Sequence, residues 1–109
     1  MKLKRLITRK VNVQQLDAIP YYGGVIHSKE LQEDGTYLVN YTQYLMMSYE
    51  KIVNKLVKEK YSDSDEFAIL RKSVGNPYNA EYVEYNAYVE DCKEIAKEFI
   101  EERKLLLGK

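Results

Sequence analysis

The residues of this chain whose side chains could perform catalysis are one histidine and one cysteine, and their surroundings favour packing. His27 has no nucleophile and acid around it in a pattern typical of a catalytic triad, so we interpret it as a partly exposed strand residue. Cys92 lies on the apolar stripe of a predicted helix, where neighbouring acids such as Asp91 disfavour the thiolate. We expect it to pack as a small hydrophobe, and these residues predict no enzyme activity.

Two groups of acids and a glycine pair are the remaining features that could bind a ligand. The acids at 63–66 and at 33–34 lack the Asp-x-Asp-x-Asn-Gly spacing of a calcium loop. Gly23-Gly24 has no Lys-Ser/Thr after it and no Gly-x-Gly-x-x-Gly frame, so we interpret it as a hairpin turn. The sequence therefore predicts no metal and no cofactor.

The composition is that of one folded domain without a strong charge bias. The chain has 109 residues, with 17 basic and 17 acidic residues and a formal net charge of zero. A single cysteine excludes an internal disulfide and favours a reducing compartment. The sequence has no apolar run of membrane-spanning length, and its first ten residues do not resemble a secretory signal. We expect a cytoplasmic protein, or a component of a virion assembled in the host cytoplasm, with no membrane partner.

The beginning of the chain is strongly basic. Residues 1–13 show a broken apolar alternation, which predicts either a basic arm or an edge strand. Two surfaces could bind these charges: an acidic helix face such as the one predicted at 81–102, or a nucleic-acid backbone. The balanced net charge favours a protein partner. The basic residues are Lys2, Lys4, Arg5, Arg9 and Lys10.

A small antiparallel β meander is predicted at 17–41. Asp34-Gly35 is the strongest hairpin signal in the chain, between the alternating residues 25–31 and the β-rich residues 36–41. For residues 36–41, a helix that begins at Thr36 is the alternative. Pro20 indicates that the strand that contains it is short or lies at an edge of the sheet.

Residues 41–107 are predicted to be helical. Asn40 with Gln43 resembles a capping box, which predicts a helix over 41–60. Asp63 with Glu66 repeats the signal and predicts a short helix that ends near Gly75.

The last third of the chain is predicted to form one long helix from Asn76-Pro77 to Gly108. Its length leaves the end, with Leu105, Leu106 and Leu107, without a long partner helix in the chain. Either the β meander covers this end or another subunit does, and we expect the three leucines to contact a partner or a second copy. The apolar stripe comprises Tyr85, Tyr88, Cys92, Ile95, Phe99 and Leu106, flanked by Val89, Ala96 and Ile100.

Eleven tyrosines and no tryptophan make tyrosine the least ordinary feature of the composition. Tyr78, Tyr82 and Tyr85 fall on one side of the first turns of the long helix, and Tyr41 and Tyr44 would begin the preceding helix. If the short helix between them runs back, the two long helices are parallel and these five tyrosines form a cluster at one end. Tyrosine suits an interface because it joins an apolar ring to a polar tip. A rim around the core is one alternative interpretation. A platform for stacked bases is another, although Glu81 and Glu84 would repel a phosphate backbone.

Two stretches, Ser64–Lys72 and Tyr82–Lys97, resemble the C-terminal helices of small proteins of tailed bacteriophages and related mobile elements. The resemblance implies a small accessory or virion component, and it transfers no functional residue to this chain.

The sequence thus predicts an α+β fold, in which a small antiparallel β meander packs on a helical bundle with a long C-terminal helix, in a single domain over 1–109. We expect a non-enzymatic structural or assembly protein of a phage that acts through protein–protein contacts. The alternative is a small nucleic-acid-binding or regulatory protein that uses the basic N-terminal segment. The residues expected to bind a protein partner or a second copy are Lys2, Lys4, Arg5, Arg9, Lys10, Tyr78, Tyr82, Tyr85, Leu105, Leu106 and Leu107.

Overall fold

A computed structural model describes residues 2–108 and confirms the α+β class. Its elements group into two compact units, residues 47–100 and residues 2–46 together with the end of the chain from Glu101. That the chain behaves as one domain stays a prediction. In chain order the elements are β1 (Lys4–Val11), α1 (Val13–Tyr21), β2 (Gly24–Leu31), β3 (Tyr37–Tyr44), α2 (Tyr49–Lys58), α3 (Asp63–Ser73) and α4 (Ala80–Leu107).

The three strands form one antiparallel sheet in the order β1-β3-β2. The β2–β3 hairpin turns at Asp34-Gly35 as predicted, and Gly35 takes the positive φ of 86° that this turn requires. β1 pairs with β3 from Lys4 opposite Tyr44 to Val11 opposite Tyr37. Of the two predictions for the N-terminal segment, the edge strand is therefore the one observed.

Helix α1 lies where the sequence was interpreted as the beginning of the meander, and that prediction is wrong. Asn12 caps the helix in a reciprocal capping box with Gln15. Pro20 lies in the last turn of the helix and not in a strand. The glycine pair joins α1 to β2 in place of a hairpin, and Gly23 has a φ of 93°.

The sheet and α1 share one apolar core. Val11, Leu16, Ile19, Val39 and Tyr41 are buried together. Ile7, Ile26 and Tyr37 pack against them. The odd-numbered residues of β1 and β3 therefore face α1, and the even-numbered residues face the other way.

Strand β3 is longer than predicted, and α2 is shorter. The strand continues through Tyr44 because it pairs with β1 on one side and β2 on the other. Asn40 and Gln43 therefore lie in the strand and cap no helix. Ser48 caps α2, which has 10 residues and buries one face, namely Ile52, Val53, Leu56 and Val57.

Helices α3 and α4 lie close to their predicted positions. The cap of α3 is Ser62 paired with Asp65, in place of the expected Asp63 with Glu66. Helix α4 begins at Ala80 because the Asn79 side chain accepts from the N–H of Glu81 at 2.9 Å.

Helix α4 ends as predicted. Gly108, at a φ of 69°, donates its N–H to the carbonyl of Lys104 at 2.8 Å. The buried stripe differs from the predicted one at two positions. Ile95 is 48% exposed and Leu106 is 50% exposed, while Ala96, Phe99 and Arg103 are buried. None of the helices described, α4 included, combines the length and apolar character that a membrane crossing requires.

Candidate interaction site on strand β1

Among residues 2–108, strand β1 has a neighbouring strand on only one side. The N–H of Leu45 donates to the carbonyl of Leu3 at 2.8 Å, which makes Leu3 and Leu45 a hydrogen-bonded pair of the antiparallel ladder. Such pairs alternate along the strand, so the odd-numbered residues of β1 bond to β3. The backbone N–H and C=O groups that point to the free edge are those of Lys4, Leu6, Thr8 and Lys10.

The free edge of β1 carries positive charge on both faces of the sheet. Arg5 and Arg9 share the α1 face with Ile7, opposite Gln43 and Val39 of β3. The guanidinium of Arg9 lies 5.8 Å from the centre of the Tyr41 ring, a cation–π distance. Lys4 and Lys10 lie on the other face, on either side of Leu6 and Thr8.

A surface groove of about 810 Å³ runs along β1, and its lining is basic. Four of the residues that line it are cations, namely Lys2, Lys4, Arg5 and Arg9, and none of its lining residues is a carboxylate. Leu6, Ile7, Thr8 and Tyr41 complete the lining. Since both faces of the strand contribute, the groove follows the edge of the sheet and combines apolar contact with positive charge.

The charged side chains of β1 differ in the interactions that they already make within the protein. Lys4 donates to both carboxylate oxygens of Glu102, at 2.9 and 3.1 Å, and this hydrogen bond raises the pKa of Lys4. Hydrogen bonds from Thr36 lower the pKa of Asp34, and the charge of Lys10 lowers it further. Within residues 2–108, Arg5 and Arg9 form no ion pair. The arginines are therefore the charges most available to a partner.

The predicted tyrosine cluster is divided between two different roles. Tyr78 is 87% exposed and Tyr82 is half-buried, so both remain candidates for partner contact. Tyr85 is buried and donates its hydroxyl to Glu66 at 2.5 Å, so it serves the fold. Tyr41 and Tyr44 lie on β3, and the prediction that they begin a helix is wrong.

An internal tyrosine cluster lies in the unit of residues 47–100, and sequence reasoning missed it. The Tyr61 ring packs edge-on against Tyr85 and Tyr88, with ring centres 5.0 and 5.6 Å apart. The Tyr88 hydroxyl donates to the carbonyl of Leu56 at 3.0 Å, and the Lys60 ammonium lies 5.0 Å from the Tyr88 ring centre. The helical spacing of Tyr85 and Tyr88 was the only signal for it in the sequence.

A short polar network links α2, α3 and α4 within that unit. Lys58 binds Asp63 at 2.5 Å and also binds Glu66, which accepts from Tyr85. Desolvation alone would raise the pKa of Glu66, but the bonds from Lys58 and Tyr85 outweigh it and lower the pKa. Burial and the bond to Glu66 raise the pKa of Tyr85 to about 12. These bonds connect the three helices and so stabilise this unit.

The end of α4 is only partly exposed. Leu105 and Leu106 are exposed and Leu107 is half-buried, so the leucines remain candidates for partner contact. Arg103 is buried, which sequence reasoning did not predict. Its Nη1 donates to the carbonyl of Leu45 at 2.7 Å and so holds this turn of α4 at the end of β3.

The two residues considered for catalysis belong to different compact units, His27 to residues 2–46 and Cys92 to residues 47–100. His27 lies at a β-bulge, and its Nε2 is 2.6 Å from the Thr42 hydroxyl. Cys92 is buried, and desolvation raises the pKa of its thiol. Across residues 2–108 no three His, Cys, Asp or Glu side chains converge in a way that could hold a metal ion.

Comparison of the chain with protein-family models, curated proteins and solved structures gives no match. Functional conclusions for this protein therefore depend on its own residues.

Proposed function

We propose that this protein is a non-enzymatic assembly protein that acts through protein–protein contacts, and that the free edge of β1 is its principal binding surface. The observation that carries this proposal is the combination, on one exposed strand, of unpaired backbone groups with Arg5 and Arg9. A free edge of this kind is a template for another chain, and natural proteins usually cover, shorten or block such edges. Strand β1 offers eight residues of uncovered edge, and its cations oppose a like-charged neighbour but suit an acidic one, which supports a binding role.

A structural component of a phage particle, or a phage accessory protein, is the setting that the resemblance of α3 and α4 suggests. Exposed leucines at the end of α4 and the exposed Tyr78 offer further apolar contacts for an assembly of this kind. A cytoplasmic site of assembly suits the single thiol of the chain.

A sedimentation experiment tests the proposed function. The tagged chain is expressed in the cells that carry its gene, and lysates are separated on sucrose gradients with and without nuclease. We expect the protein to sediment in a complex that survives nuclease. The double variant Arg5→Glu/Arg9→Glu should instead stay with the free protein, because both β1 charges on the α1 face are reversed.

The matched control reverses two lysines elsewhere on the surface. Lys51 lies on α2 and Lys97 on α4, and both are exposed. Lys51→Glu/Lys97→Glu makes the same change in net charge and should sediment like the wild type. A complex that nuclease dissolves would support the nucleic-acid alternative, and sedimentation as free protein throughout would contradict both functions.

A further inference from the structure

The free edge of β1 also defines what kind of partner fits it. We infer that β1 accepts an extended acidic segment of a partner protein, which adds to the sheet as a fourth strand next to β1. This inference rests on the proposed function and names the chemistry of the partner. Four steps support it: the geometry of the edge, the like charges that a second copy would bring together, the pattern of side chains and the poor match of a nucleic acid.

The geometry of the edge fits one more strand. Lys4, Leu6, Thr8 and Lys10 direct one donor and one acceptor each toward the free edge, which makes a continuous ladder for an antiparallel neighbour. The groove of about 810 Å³ follows the same strand. An added strand would pair these groups with backbone partners, as in other cases of strand addition.

A second copy of β1 fits this edge poorly in the register that pairs the whole strand. In an antiparallel pair centred on Ile7, Arg5 of one copy lies opposite Arg9 of the other, and Lys4 lies opposite Lys10. Like charges directly opposite each other on neighbouring strands are destabilising. Pairing along the whole strand therefore favours a partner of opposite charge over a second copy.

The side chains of β1 define a pattern for that partner. Charges lie at both ends of the strand, as Lys4 with Arg5 and as Arg9 with Lys10, and Leu6 with Ile7 lies between them. An antiparallel segment matches when it has two acids, then a polar and two apolar residues, then two acids. Glu-Glu-Thr-Val-Val-Glu-Glu meets this pattern, with its first residue opposite Lys10 and its last opposite Lys4.

A nucleic acid matches the charges but not the backbone of the edge. The free edge alternates N–H donors with C=O acceptors, whereas phosphate oxygens only accept. The carbonyls of Leu6 and Thr8 would then face a phosphate backbone without a donor. A peptide backbone supplies both kinds of group, and apolar side chains would cover Leu6, which is exposed.

N-methylated peptides test the strand addition directly. The heptapeptide is titrated into the isotope-labelled whole chain at low salt, and amide shifts are followed by NMR. Peptide residues 3 and 5 lie opposite Thr8 and Leu6, so their N–H groups face β1. N-methylation at these two positions should weaken binding by about tenfold or more, because two hydrogen bonds are lost. N-methylation at residues 4 and 6, which face away, is the matched control and should change binding little.

Charge-reversed variants of the protein give an independent test. Arg5→Glu/Arg9→Glu should bind the acidic heptapeptide about tenfold or more weakly, and should bind Lys-Lys-Thr-Val-Val-Lys-Lys more strongly than the wild type does. Lys51→Glu/Lys97→Glu should leave both affinities unchanged. Circular dichroism checks that the variants fold. If a variant does not fold, the N-methylated peptides still test strand addition on the wild-type protein.

Three outcomes would overturn the inference. Equal binding of both methylated peptides would show attraction by charge without strand pairing. Displacement of the peptide by a thymidine dodecanucleotide that binds more tightly would assign the edge to a nucleic acid. Failure of the heptapeptide to bind would exclude the acidic strand. If the heptapeptide did not bind but the nuclease-resistant complex still depended on Arg5 and Arg9, the proposed function would stand without this partner. If the complex were also absent, both the proposed function and the acidic strand would be wrong.

Discussion

The orientation of α4 predicts a large difference between two neighbouring apolar residues. Phe99 is 5% exposed, whereas Ile95, one turn earlier, is 48% exposed. Phe99→Ala should lower the free energy of unfolding by about 3–5 kcal/mol through lost burial and the cavity that remains. Burying an isoleucine fully is worth about 1.5–3 kcal/mol, so Ile95→Ala should cost about 1 kcal/mol or less, because alanine also favours the helix.

Urea unfolding followed by circular dichroism at 222 nm measures both free energies. A loss of 3–5 kcal/mol should lower the unfolding midpoint by about 2–3 M for a chain of this size, while Ile95→Ala should shift it by well under 1 M. Since small proteins are stable by about 5–15 kcal/mol, Phe99→Ala could be too unstable to measure. Phe99→Leu is the milder second variant. An equal or larger loss at Ile95 would refute the assignment of the buried face.

Three further predictions concern Gly24 compared with Gly35, the hydroxyl of Tyr85 and the thiol of Cys92. Gly24→Ala should destabilise more than Gly35→Ala in urea, because the added Cβ would lie 2.3 Å from Ile19 Cγ2, whereas nothing lies within 4 Å at Gly35, where only the positive φ is unfavourable. Absorbance titration should show a tyrosine that ionises near pH 12 and that is absent in Tyr85→Phe. Because the pKa of Tyr85 rises from 10.0 on folding, its contribution to the free energy of unfolding is complete below pH 10 and is lost as the pH approaches 12. Cys92 should react with a thiol reagent only after unfolding.

The sequence was sufficient to predict the elements that have strong local signals. Asp34-Gly35 identified the hairpin because few other residue pairs fit its turn, and Gly108 identified the end of α4. The basic N-terminal segment was recognised as an edge strand or an arm, because its charges exclude a central strand. The candidate site on β1 therefore follows in part from residue types alone.

Helix α1 was missed because Pro20 was given more weight than the capping residues before it. Asn12 with Gln15 forms a capping box, and Leu16 with Ile19 has helical spacing, so a sufficient signal was present. A proline in the last turn is tolerated where tertiary packing of the helix compensates for the lost hydrogen bond. For the same reason, Gly23-Gly24 was interpreted as a hairpin turn and not as the connection between α1 and β2.

Other features depend on tertiary contacts that no local pattern contains. Asn40 and Gln43 have the spacing of a capping box, but pairing on both sides keeps these residues in β3. Arg103 is buried, although a charged residue on an amphipathic helix usually faces solvent, because the end of β3 offers a carbonyl to its guanidinium. Which backbone groups of β1 are free also follows only from the ladder register.

Amide hydrogen exchange along β1, measured by NMR, tests the central claim most directly. In the free protein, the N–H groups of Leu6 and Thr8 should exchange quickly because they point to the open edge, while those of Ile7 and Arg9 should be protected by β3. Adding the acidic heptapeptide should slow Leu6 and Thr8 and leave Ile7 and Arg9 unchanged. Protection of Leu6 and Thr8 in the free monomer, or no change in their exchange when the peptide binds, would contradict the account.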